Sequence, residues 1–496
     1  MVTEAIPNWL KKRAFLTPQR TALIYEGETY TFQNTYDHAI VMTQKLAAIP
    51  VTKGDFVGVL LKNHPDTVMI LYALQMIGAT AVIFNNRLTQ EELAWQLDDS
   101  DCTTFITEKA FEPMILSLKE KQTSYAILFK EELSQHQRAK VNILNEFVLD
   151  NTCTIMYTSG TTGFPKGVMQ TYGNHWWSSI GSALNLGLTE TDRWLCTVPL
   201  FHISGYSILI RSLIYGMPII LHDGFDEYRV IEDIHHHQVT IMSVVSTMLN
   251  RIVRVLGSEQ MPSSFRCMLL GGGPASLALL NKCADKGIPV FQTYGMTETS
   301  SQIVTLSPED SMKKIGSAGK PLFPSQLKIV DRDGLEVSSH LEGEIVVKGP
   351  NVTRGYLNRE VETAEKIRNG WLHTGDIGYV DSEGFLYVLD RRSDLIISGG
   401  ENIYPAEIEG VLQSHEGIIE AGVIGWKDEQ WGQVPIAFVV TEKGNSISGP
   451  DLISFCQQKL AKYKVPKRIV FIDVLPRNAS NKLMRRKLRE ELEKDE

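Results

Sequence analysis

Between Thr158 and Gly167 the chain reads Thr-Ser-Gly-Thr-Thr-Gly-Phe-Pro-Lys-Gly, directly after the apolar run TCTIMY. Four hydroxyls and three glycines in ten residues offer rotatable O–H donors and open backbone N–H groups, a set suited to the oxygens of a polyphosphate. Lys166 adds a compact charge for the same oxygens. The segment is not a Walker A loop, because Lys166 is followed by Gly167 and the glycine spacing differs. A plain surface turn needs neither this run of Ser, Thr and Gly nor its Pro-Lys-Gly end.

Other residues add to that chemistry. Glu298 is a hard oxygen ligand for Mg²⁺, with Thr297 beside it to reach a phosphate. Asp376, in Thr374-Gly-Asp, can accept from both ribose hydroxyls, as acidic residues do in dinucleotide sites. Arg391 carries a planar fork able to bridge ribose and phosphate. Lys482, in the turn-rich PRNASNKL, presents a flexible cation that can neutralise charge on a transferring phosphate. Taken singly, each has a plain reading: a surface Glu, a turn Asp, a linker charge, one more lysine of a basic tail. Gly271-Gly272-Gly273-Pro274 follows the strand-like CMLL but lacks dinucleotide spacing. His235-His236-His237 lies on a helical pattern, where neighbours point about 100° apart and cannot converge on one ion.

These groups need a scaffold. TFQNTYDHAIVMTQKLAAI reads as an amphipathic helix opening at Thr31, GDFVGVLL as a buried strand, DTVMILYALQMIG as a helix and ATAVIFN as a strand. Strand-like runs recur at RWLCTVPLF, GMPIILH, VTIMSVVS, FRCMLLGGG and IPVFQTYG. Strands alternating with helices predict an α/β fold with doubly wound, mostly parallel sheets, whose carboxyl edges bind ligands. Residues 308–389 read as a β-rich subdomain, with hairpin turns at Asp333-Gly334 and Glu383-Gly384. The expected division is a large domain over 1–389, a hinge at 390–392 and a small α+β domain over 393–496. In the small domain ENIYP reads as a loop and MRRKLREELEKDE as a solvated amphipathic helix.

The 496 residues carry 43% hydrophobic and 22% charged positions, which excludes disorder as the dominant state. Net charge is 49 − 58 = −9, which argues against a general nucleic-acid binder but not against one anionic ligand in a basic cleft. None of the six cysteines forms a CxxC pair, so reduced thiols and a cytoplasmic location are expected. The N-terminal stretch lacks the pattern of a secretory signal. The apolar run from Val68 to Phe84 is shorter than the roughly 20 residues of a membrane span, so no membrane span is expected.

With the phosphate-type loop come, in order, Pro199-Leu-Phe-His202, Tyr294-Gly-Met-Thr297-Glu298, Thr374-Gly-Asp376, Asp390-Arg391 and Lys482. In this set and order the whole chain resembles the adenylate-forming superfamily of acyl-CoA synthetases, adenylation domains and luciferases. The resemblance implies an ATP-dependent acid–thiol ligase that joins a carboxylate to AMP, releases pyrophosphate and passes the acyl group to coenzyme A, with Mg²⁺ on Glu298. It implies catalytic roles for Lys482, Thr297 and Glu298, and a gating role at the acyl pocket for His202. Nucleotide and coenzyme contacts are implied for Thr158, Ser159, Gly160, Thr161, Thr162 and Lys166. They are implied as well for Gly271, Gly272 and Gly273, for Gln292, Thr293 and Tyr294, and for Asp376 and Arg391. Gly399 and Gly400 resemble the loop flanking the pantetheine channel, and Arg485, Arg486 and Lys487 are candidate contacts for coenzyme A phosphates. A rotation of the small domain about Asp390 is implied between the two steps.

For the acid, His202, Gly272, Gly295, Ser301, Gln302 and Thr305 are the expected pocket residues. With Ser300, the hydroxyls and amide could hold a second carboxylate or a keto group, a wall unsuited to a fatty tail. The stretches SALNLGLTETDRW, LLGGGPAS and ISGGENIYPAE resemble the family's ligases of an aromatic dicarboxylic acid, with Ser398 a departure where some relatives carry lysine. Another acyl- or aryl-CoA ligase is the alternative. A non-catalytic nucleotide-binding regulator would not need Lys482, and no carrier domain follows Lys482 for an adenylation domain to load. The partners expected are small molecules, with no nucleic acid, and the oligomeric state is left open, a homo-oligomer included.

Overall fold

Largely apolar strands such as Phe56–Leu60, Trp194–Cys196, Ile219–Leu221 and Cys267–Gly271 build the interiors of the two large sheets, because a strand covered on both faces has no polar side. The computed structural model describes the chain apart from residues 1–3, 50, 120–124, 159–164, 273, 274, 276, 391–395, 404, 442–446, 477–482, 484 and 494–496. Ser159, Gly160, Thr161, Thr162, Gly273, Arg391 and Lys482 therefore lie outside the described residues. Two compact units emerge: Met1–Asn86, Leu97–Met156 and Gly167–Leu389 form the first, and Arg87–Gln96, Tyr157–Lys166 and Asp390–Glu496 the second.

A seven-stranded sheet runs in the order Gly355–Tyr356, Lys166–Thr171, Thr152–Thr158, Thr80–Ile83, Phe56–Leu60, Thr104–Thr107, Ala126–Phe129. Its pairings from Thr152–Thr158 to Ala126–Phe129 are parallel, and Gly355–Tyr356 closes one edge antiparallel. A nine-stranded sheet of the first unit has a parallel core of Val290–Met296, Cys267–Gly271, Ile241–Val245, Trp194–Cys196 and Ile219–Leu221. Beyond Val290–Met296 the strand Ser301–Leu306 returns antiparallel. The helix Pro65–Ile77 starts with Pro65 in its first turn, where His64 accepts from Asp66 N, and stops at Gly78 with φ 86°. Every residue of that helix except Asp66 is buried, which is why its sequence is apolar all round.

The β-rich part is a five-stranded sheet of Gln326–Val330, Gly343–Lys348, Trp371–Val380, Ile367–Arg368 and Leu386–Asp390. Its two expected turns share one device. Asp331 Oδ1 accepts from the N–H groups of Asp333 and Leu335, and Asp381 Oδ1 from those of Glu383 and Phe385, all at 2.9 Å. Gly334 and Gly384 take the left-handed backbone these turns require, with φ 80° and 83°.

The second unit carries the sheet Glu401–Ile403, Ile396–Ser398, Gly432–Thr441, Ile418–Asp428, with Arg468–Phe471 beside Gly432–Thr441. Glu401–Ile403 is a strand where a loop was expected. Gly399 and Gly400, with φ 57° and 87°, make a two-residue turn that pairs Ser398 with Glu401. The helix Arg485–Leu492 is amphipathic but not simply solvated: Leu488 and Leu492 are buried against Ile424, Ile436 and Phe438. Arg485 pairs with Glu409 and donates to Val423 O at 3.0 Å, so its guanidinium is engaged within this unit, not held out for coenzyme A phosphates. All six cysteines are free and buried, and no helix among the described residues is long and apolar enough to cross a membrane.

Candidate active site

Thr158, Lys166 and Gly271 of the nucleotide-type residues sit at strand ends. Thr158 ends one strand and Lys166 opens the next, so they flank the segment that lies outside the described residues. Along Val290–Met296 alternate side chains serve different partners. Gln292 is buried, and its Oε1 accepts from Ala275 N at 3.1 Å, which ties Ala275 to the strand. Thr293 Oγ1 donates to Leu270 O at 3.2 Å, and Tyr294 Oη donates to Asp376 Oδ2 at 2.7 Å. Asp376 is buried, its N–H donates to Thr374 Oγ1 at 3.0 Å, and Gly375 N donates to Glu344 Oε1 at 2.8 Å. The carboxylate is thus fixed in direction within the strand Trp371–Val380. Gly272 has φ 81°, and a Cβ there would come within 3.5 Å of Val245. Backbone conformation, rather than space, selects glycine at that position.

Glu298 lies on the short turn Thr297–Thr299. Tyr356 Oη donates to its Oε1 at 3.0 Å, which orients a carboxylate suited to a magnesium ion by its donor chemistry. Gly399 and Gly400 have the hairpin explanation given above, and a Cβ on Gly399 would meet Trp431 at 2.8 Å.

On the acid side, His202 precedes the helix Ile203–Tyr215 and packs its ring 4.6 Å from that of Phe201. Asn63 holds this segment: Nδ2 donates to Val198 O at 3.1 Å and to His222 O at 3.0 Å, while Oδ1 accepts from Leu200 N at 2.9 Å. Gln302 pairs with Gly295 and Thr305 with Thr293, with a bulge at Ile303. Simple alternation would place Gln302 and Thr305 on opposite faces, and the bulge returns them to one face, with Thr293. Gly295 permits this approach, since a Cβ there would stand 2.2 Å from Ser301 O.

The same helix delivers a residue the sequence reading missed. Arg211 is 1% exposed, donates from Nη2 to Ser301 Oγ at 3.3 Å, and lies 5.3 Å from the Trp194 ring. Its Nε has no partner, and no carboxylate pairs with it among the described residues. Burial pushes its pKa down. Nearby in sequence to Ser301, the Ser300 hydroxyl, both polar atoms of the Gln302 amide, Thr305 Oγ1 and Gln292 Nε2 are buried and unpartnered. Native interiors seldom leave such groups unmade, so their concentration along this strand pair fits a polar or anionic ligand. A signal was present in the chain: Arg211 is the lone charge in ISGYSILIRSLIY.

Comparison with known proteins agrees with this layout. A family model described as AMP-binding enzyme matches residues 10–357, and one described as AMP-binding enzyme C-terminal domain matches residues 407–482. The chain is 53% identical, over 99% of both chains, to a 2-succinylbenzoate–CoA ligase of Bacillus cereus. A double mutant of o-succinylbenzoate CoA synthetase from Bacillus subtilis, bound with its product analogue OSB-NCoA, matches with TM-score 0.93 and 50% identity over 98% of each chain. That synthetase in complex with the acyl-adenylate intermediate OSB-AMP gives TM-score 0.77 at 51% identity over 98% of each chain. With ATP and magnesium ion it gives 0.77 at 50%, over 98% of this chain and 100% of that one.

Proposed function

The chain belongs to the AMP-binding enzyme family, and from that premise we propose that it ligates 2-succinylbenzoate to coenzyme A, with ATP cleaved to AMP and pyrophosphate. The observation that carries the choice of acid is Arg211, a buried cation beside the Ser301 hydroxyl with which no carboxylate pairs among the described residues. A dicarboxylic acid supplies that missing charge with one carboxylate while the other reacts. A monocarboxylic tail would leave Arg211 and the Gln302 amide unpaired.

The reacting carboxylate attacks the α-phosphorus of ATP, forming the acyl-adenylate and expelling pyrophosphate. The coenzyme A thiol then attacks the acyl carbon, and AMP leaves. Catalysis on this reading is positioning and charge neutralisation. Asp376, aimed by Tyr294, holds the ribose hydroxyls, and residues 158–162 with Lys166 hold the phosphates. Mg²⁺ held at Glu298 supplies charge neutralisation on the triphosphate when bound. Lys482 is assigned to the charge developing in the first step, and Arg391 to ribose and phosphate. Residues 390–392 are assigned as the hinge joining the domains 1–389 and 393–496, about which the small domain turns to withdraw Lys482 before the thiol attacks. Gly399 and Gly400 are assigned to the coenzyme channel. The reading places the enzyme in menaquinone biosynthesis in the cytoplasm.

The test is ATP-dependent thioester and pyrophosphate formation with 2-succinylbenzoate, benzoate, 4-coumarate, octanoate and palmitate. A clear preference for 2-succinylbenzoate is expected. Equal or faster turnover of a monocarboxylic acid would leave the ligase chemistry standing and remove this acid.

A further inference from the structure

The turn that carries Glu298 also begins the wall of the acid pocket, and it is held from outside at every carbonyl. Gln170 Nε2 donates to Thr297 O at 2.8 Å, Thr353 N to Glu298 O at 2.7 Å, Asn351 Nδ2 to Thr299 O at 3.1 Å and Ser178 Oγ to Ser300 O at 2.6 Å. Four successive carbonyls thus accept from four separate residues. The turn needs such support, because Ser300 and Ser301 have φ 52° and 104°, a left-handed backbone that side chains disfavour.

The two ends of the turn are tied to different things. Gln170 is fully buried, and its Oε1 accepts from Thr154 Oγ1 at 2.8 Å. The Thr154 oxygen lies 2.8 Å from His175 Nε2. Thr154 has one hydroxyl proton and gives it to Gln170, so His175 donates from Nε2. Burial keeps that ring neutral, its pKa pushed down to about 3, so the relay does not change with pH in the working range. Thr154 and Gln170 belong to the strands that run into and out of the 159–164 segment. Ser178, by contrast, comes from the helix Tyr172–Leu186 and grips the carbonyl next to Ser301, the residue that Arg211 holds.

We propose that Gln170 and Ser178 are positioning residues for opposite ends of this turn: Gln170 sets Glu298 for the magnesium-bound nucleotide, and Ser178 sets Ser301 with Arg211 for the acid. This rests on the ligase reading above. Each acts through a carbonyl, Thr297 O for Gln170 and Ser300 O for Ser178.

Steady-state kinetics of Gln170→Leu, Ser178→Ala and Ser178→Thr test it on the full-length enzyme, with 2-succinylbenzoate and Mg-ATP varied in turn and a melting temperature for each variant. Gln170→Leu is expected to raise KM for Mg-ATP about tenfold and leave the acid KM within about twofold. Ser178→Ala is expected to do the reverse, and Ser178→Thr, which keeps the donor, to restore the acid KM. A structural role alone predicts a lower melting temperature or kcat with both KM values moving together, and that result, or no movement in either, overturns the proposal. A wild-type enzyme inactive on 2-succinylbenzoate overturns the ligase reading and this inference together, whereas an active wild type without the split overturns this inference alone.

Discussion

The first and second units each bury a cation, and they treat it oppositely. Lys464, in the second unit, is 4% exposed and donates to Glu92 at 2.8 Å and to Glu407 at 2.7 Å. Burial by itself works against its charge, and Glu407 with Glu92 outweighs it, holding the ammonium above its ordinary pKa. Arg211, in the first unit, is buried at least as deeply and meets the Ser301 hydroxyl, the Trp194 ring and Tyr215; Tyr215 and Cys267 oppose the effect of burial without overcoming it, and no carboxylate among the described residues pairs with it. Desolvating an ion costs several kcal/mol unless a counter-charge answers it. Where the chain supplies that counter-charge, the group is architecture. Where it does not, the proposed function has a ligand bring one.

The comparison breaks or holds on Arg211→Leu. Removing a buried charge that no carboxylate among the described residues answers should leave the melting temperature unchanged or higher. It should lower kcat/KM for 2-succinylbenzoate by about a thousandfold, ~4 kcal/mol, the range for losing one partner of a buried charged pair. A drop in stability with little change in kcat/KM would make Arg211 a structural cation like Lys464. The mirror experiment is Lys464→Met, which strands two buried carboxylates. It should cost about 3 kcal/mol of stability in urea unfolding and leave the order of preference among acids unchanged.

Much of this contrast lay beyond what the chain alone discloses. The sheets were legible, because parallel strands covered on both faces are written as apolar runs, and the ordered motifs located Glu298, Asp376 and Tyr294. That Tyr294 orients Asp376 was not legible: the two are 82 residues apart, and only the fold makes them neighbours. Arg211 was visible as a lone charge among apolar residues, but a charge on such a helix reads equally as its exposed edge until the packing is known. The bulge at Ile303, which brings Gln302 and Thr305 to one face, depends on the close approach at Gly295 and leaves no periodic trace. Glu401–Ile403 is too short for alternation to declare a strand. The docking of Leu488 and Leu492, four residues apart, was legible in principle, since that spacing marks one helical face.

A smaller change sharpens what kind of charge the acid pocket requires. Arg211→Lys keeps the cation and loses the planar fork that meets a carboxylate with two donors. A loss of about tenfold in kcat/KM for 2-succinylbenzoate is expected, roughly 1.4 kcal/mol by the standard conversion. Turnover of benzoate should change less. An equal loss on both acids would mean that the guanidinium supports the shape of the pocket rather than the second carboxylate.

The smallest effect belongs to the second unit, where even the matched cation is not matched perfectly. Two carboxylates share one ammonium, and Glu407 Oε2 is buried without a partner. Burial raises the Glu407 carboxyl to about 7, Lys464 opposes that rise, and the like charge of Glu92 adds to it. Its ordinary value is 4.5, so between about pH 4.5 and 7 the folded chain keeps a proton that the unfolded chain has released. The stability this contributes is whole below pH 4.5, declines as pH rises through the window and is gone above about 7. Glu407→Gln holds the group neutral at every pH and leaves Lys464 paired with Glu92. Melting curves from pH 5 to 8 should therefore fall for the wild type, by a few degrees, and run flatter for Glu407→Gln, with the two proteins drawing apart toward pH 8 in favour of the variant. Parallel curves would mean that Glu407 is ionised throughout, and that the second unit matches its buried cation twice over.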